Sequence, residues 1–506
     1  MSLFGAINTA VSGLTAQSTS FGNISEDVSN SQTIGFKRVD TTFADYLTTS
    51  TATENVPGAV VAAPEYVNDI QGTITQTDNP LGMAIAGQGF FAVSQPIGGV
   101  NGTPTFNAQQ FYSRAGDFSM NATGYLVNSA GQYLNGWSVN SATGVTNQNA
   151  LVPIQVNQTT FNPVPTANVT LAANLPATPA AGTGQAAYID ASGTLVPATP
   201  VSSQITVYDS LGTAHSITLN WTQAVAATQP SPAVYPPAVT PGQWVVQISV
   251  PGAQATTTVP GNGGAGGNGD PTDAGTALVS FGPQTSGDTT ANQGTIGAVG
   301  ANPNPVINAG IPPVNTSLDP GTITPSTYAA PATAGGAVPA TINFVTNFGS
   351  GDQTITLNLG SYGGTNGVTQ FAGTDYNLLG LTQDGVPPGS FSGVTTQATG
   401  DVIVNYNNGQ TRQIAQIPVV TFNAPDSLQS QNGQAFTATP ASGTPLAQAA
   451  STNGAGNLVV GSVEGSNVDI ATEFTNLIVS QQAYSANAKV VSTANEMLQA
   501  TLQMVA

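Results

Sequence analysis

Residues 470–505 read IATEFTN LIVSQQA YSANAKV VSTANEM LQATLQM V. Ile470, Leu477, Tyr484, Val491, Leu498 and Val505 fall on one line seven residues apart, and Phe474, Gln481, Ala488, Asn495 and Leu502 fall on a second. That spacing predicts an α-helix carrying a coiled-coil seam over five heptads. The opposite end repeats it: Ile7, Leu14, Phe21 and Val28 form one line, and Leu3, Ala10, Gln17 and Ile24 lie four residues before each. The stripe marks an amphipathic helix at the N-terminus. Two such stripes cannot both be covered by a β-domain, so the reading is helix pairing within the chain and packing between copies of it.

Between these ends run some 440 residues of glycine-rich, β-type sequence. Only 6% of the chain is charged, where an ordinary soluble domain has ~25%. The five cations are Lys37, Arg38, Arg114, Arg412 and Lys489, set against 24 acids for a net charge of -19. Phosphate neutralisation needs clustered cations, so nucleic acid and anionic membrane surfaces are excluded as expected partners. The absence of cysteine fits an extracellular product and also some cytosolic ones. Residues 1–25 contain no charged side chain and no uninterrupted apolar run, so the expectation is a chain without a cleavable signal peptide. Nowhere do 18 apolar residues run together, and membrane insertion is not expected.

The pattern along the chain suggests a multidomain, mainly β architecture with discontinuous α-helical termini and nested insertions. Residues 1–30 with 468–506 form the expected terminal helical assembly domain, and 31–75 with 457–467 a weakly periodic connecting segment. Residues 76–145 with 380–456 form an inner β-domain. Residues 146–379 form one or more outer β-domains, with a low-complexity insertion near 251–335. The clearest strands are Gln204 to Asp209 and Ala214 to Trp221, flanking Ser210-Leu211-Gly212-Thr213, then Trp244 to Val250, and the hairpin around Asn407-Asn408-Gly409.

Three stretches imitate chemistry. Gly87-Gln88-Gly89-Phe90-Phe91-Ala92 has dinucleotide-loop spacing, but a strand rather than a helix is expected to follow it. Gly263-Gly264-Ala265-Gly266-Gly267-Asn268 approaches a calcium β-roll repeat once, with Asn where Asp should bind. His215 lies in an alternating strand without a nucleophile or a metal motif. No catalytic group, cofactor or metal site is expected.

Four motifs occur in order. They are Asp27-Val28-Ser29-Asn30-Ser31-Gln32-Thr33-Ile34-Gly35-Phe36-Lys37, then Pro80 to Phe91 (PLGMAIAGQGFF), then Tyr112-Ser113-Arg114-Ala115-Gly116-Asp117-Phe118. The fourth is Glu464-Gly465-Ser466-Asn467-Val468-Asp469 with Gln481 to Lys489 (QQAYSANAK). Together they resemble the signatures of the bacterial flagellar rod, hook and hook-associated axial proteins, with Asp27 standing where Asn is usual and Gly82 and Gln88 where acids are frequent. The family positions are Asn30, Thr33, Gly35, Phe36, Lys37, Gly87, Gly89, Phe90, Phe91, Arg114, Gly116, Ser466, Asn467, Val468 and Asp469. In the middle, Val207-Tyr208-Asp209-Ser210-Leu211-Gly212-Thr213-Ala214-His215 is similar to a segment of the hook branch, which carries an outer insertion that the shorter rod branch lacks.

The resemblance implies a non-enzymatic subunit of a curved, flexible helical tube that transmits torque and encloses an export channel. It implies export by the flagellar type III apparatus, and as partners further copies of the chain, the distal rod, the hook cap and the hook–filament junction proteins. A distal rod subunit and a surface-layer or adhesin-type protein are the alternative readings.

Overall fold

The computed structural model describes residues 3–50, 55–100, 103–140, 143–180, 182–185, 188–189, 195–196, 198–225, 239–254, 273–283, 292–301, 323–325 and 338–505. It is mainly β, with one long helix at each end: α1 (Leu3–Ser29) and α2 (Ile470–Val505). The chain divides into two compact units, one made of residues 1–159 and 391–506, the other of residues 160–390. Much of the stretch near 251–335, including Gly263 to Asn268, lies outside the described residues.

In the first unit α1 and α2 run antiparallel. Ser20 and Ser480 hydroxyls meet at 3.4 Å, and the Phe21 and Tyr484 rings meet edge to face, with centroids 6.4 Å apart. Two turns from Ser20, a Cβ placed on Gly13 would lie 2.9 Å from Asn487 Nδ2. Glycine costs a helix interior ~1 kcal/mol relative to alanine, and here it makes room for the Asn487 side chain.

The poorly periodic residues 39–66 form a long antiparallel hairpin, β1 (Val39–Ser50) with β2 (Asn55–Tyr66), in the register Val39↔Tyr66 and Phe43↔Ala62. It packs on α1: the Thr9 hydroxyl donates to the Gly58 carbonyl at 3.2 Å, and the Val60 amide to Ser12 Oγ at 3.1 Å. Helix α1 covers one side of it, and Phe43 and Tyr46 stay 47% and 61% exposed. That one-sided burial explains the weak alternation in sequence.

Next, β3 (Ile74–Gln76) pairs with Ser462–Glu464, and Met83–Ala86 pairs with Asn457–Val460. Beyond them a large sheet runs in the order Phe391–Thr396, Asp401–Tyr406, Thr411–Gln416, Tyr133–Val139, Phe91–Ser94, Phe111–Ser113, Ala435–Thr437, Gln429–Gln431. Phe90, Ala92, Tyr112, Val420, Leu428 and Phe436 form a core beneath it, with Phe90 edge-on to Phe422 and Phe436.

The described residues of the second unit form two large sheets and the short pair Tyr188–Ile189 with Leu195–Val196. One large sheet is a five-strand antiparallel meander from Val201–Tyr208 to Ile296–Ala301; the other is mixed, with Asn168–Asn174 parallel to Asp352–Ser361. Alternating inward residues such as Trp244, Val246 and Ile248 join Trp221, Leu171, Phe344 and Leu357 in one core.

Candidate functional site

The four sequence motifs, scattered over more than 400 residues, come together in the first unit around one carboxylate. Glu464 ends the short strand paired with β3, and its side chain is fully buried. Lys37, on the turn between α1 and β1, places Nζ 2.7 Å from Glu464 Oε1. Arg114, just beyond Phe111–Ser113, places Nη1 2.9 Å from Oε2. The Gly72 amide also donates to Oε1, at 2.9 Å.

The cations are held by more than the acid. Lys37 Nζ donates to the Ile70 carbonyl at 2.6 Å. Arg114 reaches the carbonyls of Ile85 at 3.1 Å and Gly87 at 2.7 Å, and its guanidinium lies 5.3 Å from the Phe90 ring centre. Burial pushes both the Lys37 and the Arg114 pKa down, while Glu464 pulls each back up. Three charges this deep hold together only because each is paired and hydrogen-bonded.

The remaining motif residues build the walls of this knot. Gly35 sits at φ +70° against the backbone of Ala115, where a Cβ would overlap it, and its amide donates to the Glu464 carbonyl at 2.8 Å. Gly116 is pressed so closely on the Met83 carbonyl that no side chain fits. Gly87 and Gly89 make the turn into Phe90, and Phe91 packs edge-on to Phe118 at 5.5 Å. Asn30 accepts from the Thr33 hydroxyl at 3.2 Å in the turn that ends α1, and the Phe36 amide donates back to the Thr33 carbonyl.

Asn467 stitches the other side. Its Oδ1 accepts from the Arg38 amide at 2.8 Å, and its Nδ2 donates to the Val67 and Ile70 carbonyls. Ser466 Oγ accepts from the Val468 amide. Asp469 then caps α2, accepting from the Ala471 amide at 2.9 Å and the Thr472 hydroxyl at 3.1 Å. Those bonds, the Ala471 amide first, hold its carboxyl below the usual aspartate value. The Glu464 oxygens are taken up by two ion pairs and an amide, so the arrangement clamps elements together.

The seam residues divide between two faces. Ile24 is buried, and Ile7, Leu14, Phe21, Val28, Leu477, Val491 and Leu498 are half-buried. Ile470, Phe474 and Tyr484 are exposed, Phe474 by 51%. The side chains of Leu3 and Leu502 lie outside the described residues. The second line expected for α2, through Phe474, Gln481, Ala488 and Asn495, is therefore not the one turned toward α1. The inward line is instead Glu473, Ser480, Asn487 and Ala494. Along it Ser480 meets Ser20 and Asn487 lies against Gly13. A reading that weighs only apolar periodicity passes over such a line.

His215 stacks on Phe348, centroids 4.0 Å apart, with Nε2 3.2 Å from Asp209 Oδ2. It thus holds the Ser210 to Thr213 turn. The Gly87 to Gly89 turn leads into the strand Phe91–Ser94.

Three family models match successive parts of the chain. The flagellar hook protein FlgE/F/G D1 domain matches residues 84–170, the flagellar basal body protein FlaE D2 domain residues 174–386, and the flagellar basal body rod FlgEFG protein C-terminal segment residues 459–504. Together they span more than half of the chain. It belongs to the flagellar hook and rod protein family. Relatives within that family include the flagellar hook protein FlgE of Brucella abortus, 28% identical over 502 residues with 98% of each chain covered. FlgE of Salmonella typhimurium is 27% identical over 491 residues, with 97% of each chain covered. The solved structure of the Helicobacter pylori flagellar hook protein FlgE2 overlaps 76% of this chain and 98% of its own at a TM-score of 0.41 and 14% identity. This is a family of structural proteins of the flagellum, and no described helix is long and apolar enough to cross a membrane.

Proposed function

We infer that the chain is the structural subunit of a bacterial flagellar hook. The observation that carries the reading is the combination of rod-type ends with a large outer unit at residues 160–390, matched by the D2 family model. The curated relatives that align along nearly the whole chain carry the hook protein's name, and nothing favours the distal rod or surface-layer alternatives.

Polymerisation runs through the terminal helices. Val479, Val490 and Met497 are 60%, 46% and 56% exposed and recur at intervals of eleven and seven, close to whole helical turns. They lie on the side of α2 away from α1, flanked by the exposed Phe474 and Ile478. An apolar face of this extent in a monomer supports burial against further copies, and a heterologous contact of that kind extends as an open helix. The subunits transmit torque around an export channel. The chain leaves by the flagellar type III apparatus. Its further partners are the distal rod, the hook cap and the hook–filament junction proteins, and it is not an enzyme.

The test is polymerisation of the purified full-length chain, imaged by electron microscopy. Curved tubes are expected; straight tubes assign it to the rod, and no polymer under any condition removes the reading.

A further inference from the structure

We propose that Asp27, Asp40 and Glu473 form a divalent-cation site of calcium type at the root of the terminal helices. The three residues come from the last turn of α1, the start of β1 and the first turn of α2, and one oxygen of each lies within 4.8 Å of the others. Two oxygens bound to one calcium ion at 2.3–2.6 Å sit at most about 5 Å apart, whereas magnesium at 2.0–2.1 Å holds them within about 4.2 Å. The three oxygens fall inside calcium's span, and magnesium gives up its water reluctantly and demands near-ideal octahedral geometry, so calcium is the better occupant.

A second observation points to a ligand. Glu473 is only 1% exposed, and its Oε1 has no hydrogen-bond partner. Asp27 is equally buried, and its oxygens are met by a single amide, that of Val39, at 3.0 and 3.3 Å. The cation at hand is Arg38, whose Nη2 lies 3.3 Å from Asp40 Oδ2; the other charged groups facing the pair, Glu26 and Asp469, are acids. Asp27 also sits at the negative end of the α1 dipole, where a carboxylate is disfavoured.

Burial, opposed in part by the Val39 amide and reinforced by Glu473, Asp40 and Glu26, pushes the Asp27 pKa up to about 7. Glu473 is raised as well, by burial first. A cation removes the same conflict without a proton, and Asp40, being half-buried, leaves a side through which water completes the coordination. Bound there, the ion fastens α1, β1 and α2 together, next to the Lys37–Glu464–Arg114 knot.

The test is calorimetric titration of the metal-free, full-length chain with CaCl2, and with MgCl2 for comparison, alongside thermal melts. One saturable calcium event is expected, in the 10⁻⁴–10⁻³ M range of open extracellular sites, with a rise of a few degrees in Tm at tenfold excess over Kd and a weaker response to magnesium. Asp27→Asn and Glu473→Gln should each abolish the heat and the shift while raising the metal-free Tm, since each removes an unneutralised charge. Hydrogen exchange on the unaltered chain supplies a readout that does not depend on the variants: calcium should slow exchange selectively in residues 24–42 and 470–476. Absence of saturable binding, or binding undiminished in both variants, overturns the proposal. So does a neutral-pH titration of Asp27 that is indifferent to calcium, which assigns the cluster to a shared proton.

Discussion

Replacing Glu464 with glutamine keeps the side chain's shape and deletes the one negative charge between Lys37 and Arg114, whose side chains are 1% and 2% exposed. The Gln amide can accept one hydrogen bond, but its NH2 group then faces the donors of the other cation. Removing one partner of a buried pair costs about 3–5 kcal/mol because the remaining charge stays desolvated. In domains of 150–250 residues each kcal/mol is worth about 2–4 °C, so the first unit should melt roughly 10 °C lower. Arginine keeps its proton, so Lys37 is the group that yields. Its folded pKa lies below its unfolded value, so the unfolded chain binds more protons between the two, and stability must rise with pH across that window. The defect in Glu464→Gln should therefore shrink as pH is raised toward that of free lysine. Lys37→Met is the matched control: it leaves Glu464 and Arg114 as a one-to-one pair and should cost clearly less than Glu464→Gln. Urea and thermal unfolding of the monomer read all of this. A loss below about 1 kcal/mol, or one erased by salt as for a surface pair, would refute the clamp.

The two faces of α2 separate assembly from folding: Val479→Asp or Met497→Asp should abolish tubes in a sedimentation assay while leaving the monomer Tm unchanged. Leu477→Asp, on the face toward α1, should lower the Tm of the first unit by several degrees as well as blocking tubes, because a charge would be buried without a partner. A fragment of residues 160–390 should fold alone, seen as blue-shifted emission from Trp221 and Trp244 that is lost cooperatively in urea; unfolded emission in buffer would deny that unit its own core. Asp209 is drawn upward by burial but held below the ordinary aspartate value by the Thr213 amide, His215 and the Leu211 amide. Its stabilising share is present above about pH 4 and lost as pH falls through its lowered folded pKa, so Asp209→Asn should flatten the acid limb of that fragment's stability curve.

The terminal helices, the alternating strands of the second unit and the turn at Asn407-Asn408-Gly409 were legible because each is specified by neighbours a few residues away. Apolar spacing of seven sets a helix face, and spacing of two sets a strand face. The family motifs were legible too, as strings whose purpose was not. Nothing local to Lys37, Arg114 or Glu464 says that they share one buried centre, since their meeting depends on strands that pair across more than 300 residues. The same holds for Asp27, Asp40 and Glu473, of which the sequence marks only Asp27, as a motif variant. The α1-facing line of α2 was hidden for another reason: it is made of Glu473, Ser480, Asn487 and Ala494, which carry no apolar periodicity. Periodicity therefore marked the terminal helices and the second unit's strands, though not the hairpin of residues 39–66. Only the tertiary structure, by removing water from particular charges and bringing particular backbones into contact, decided which residues lock them together.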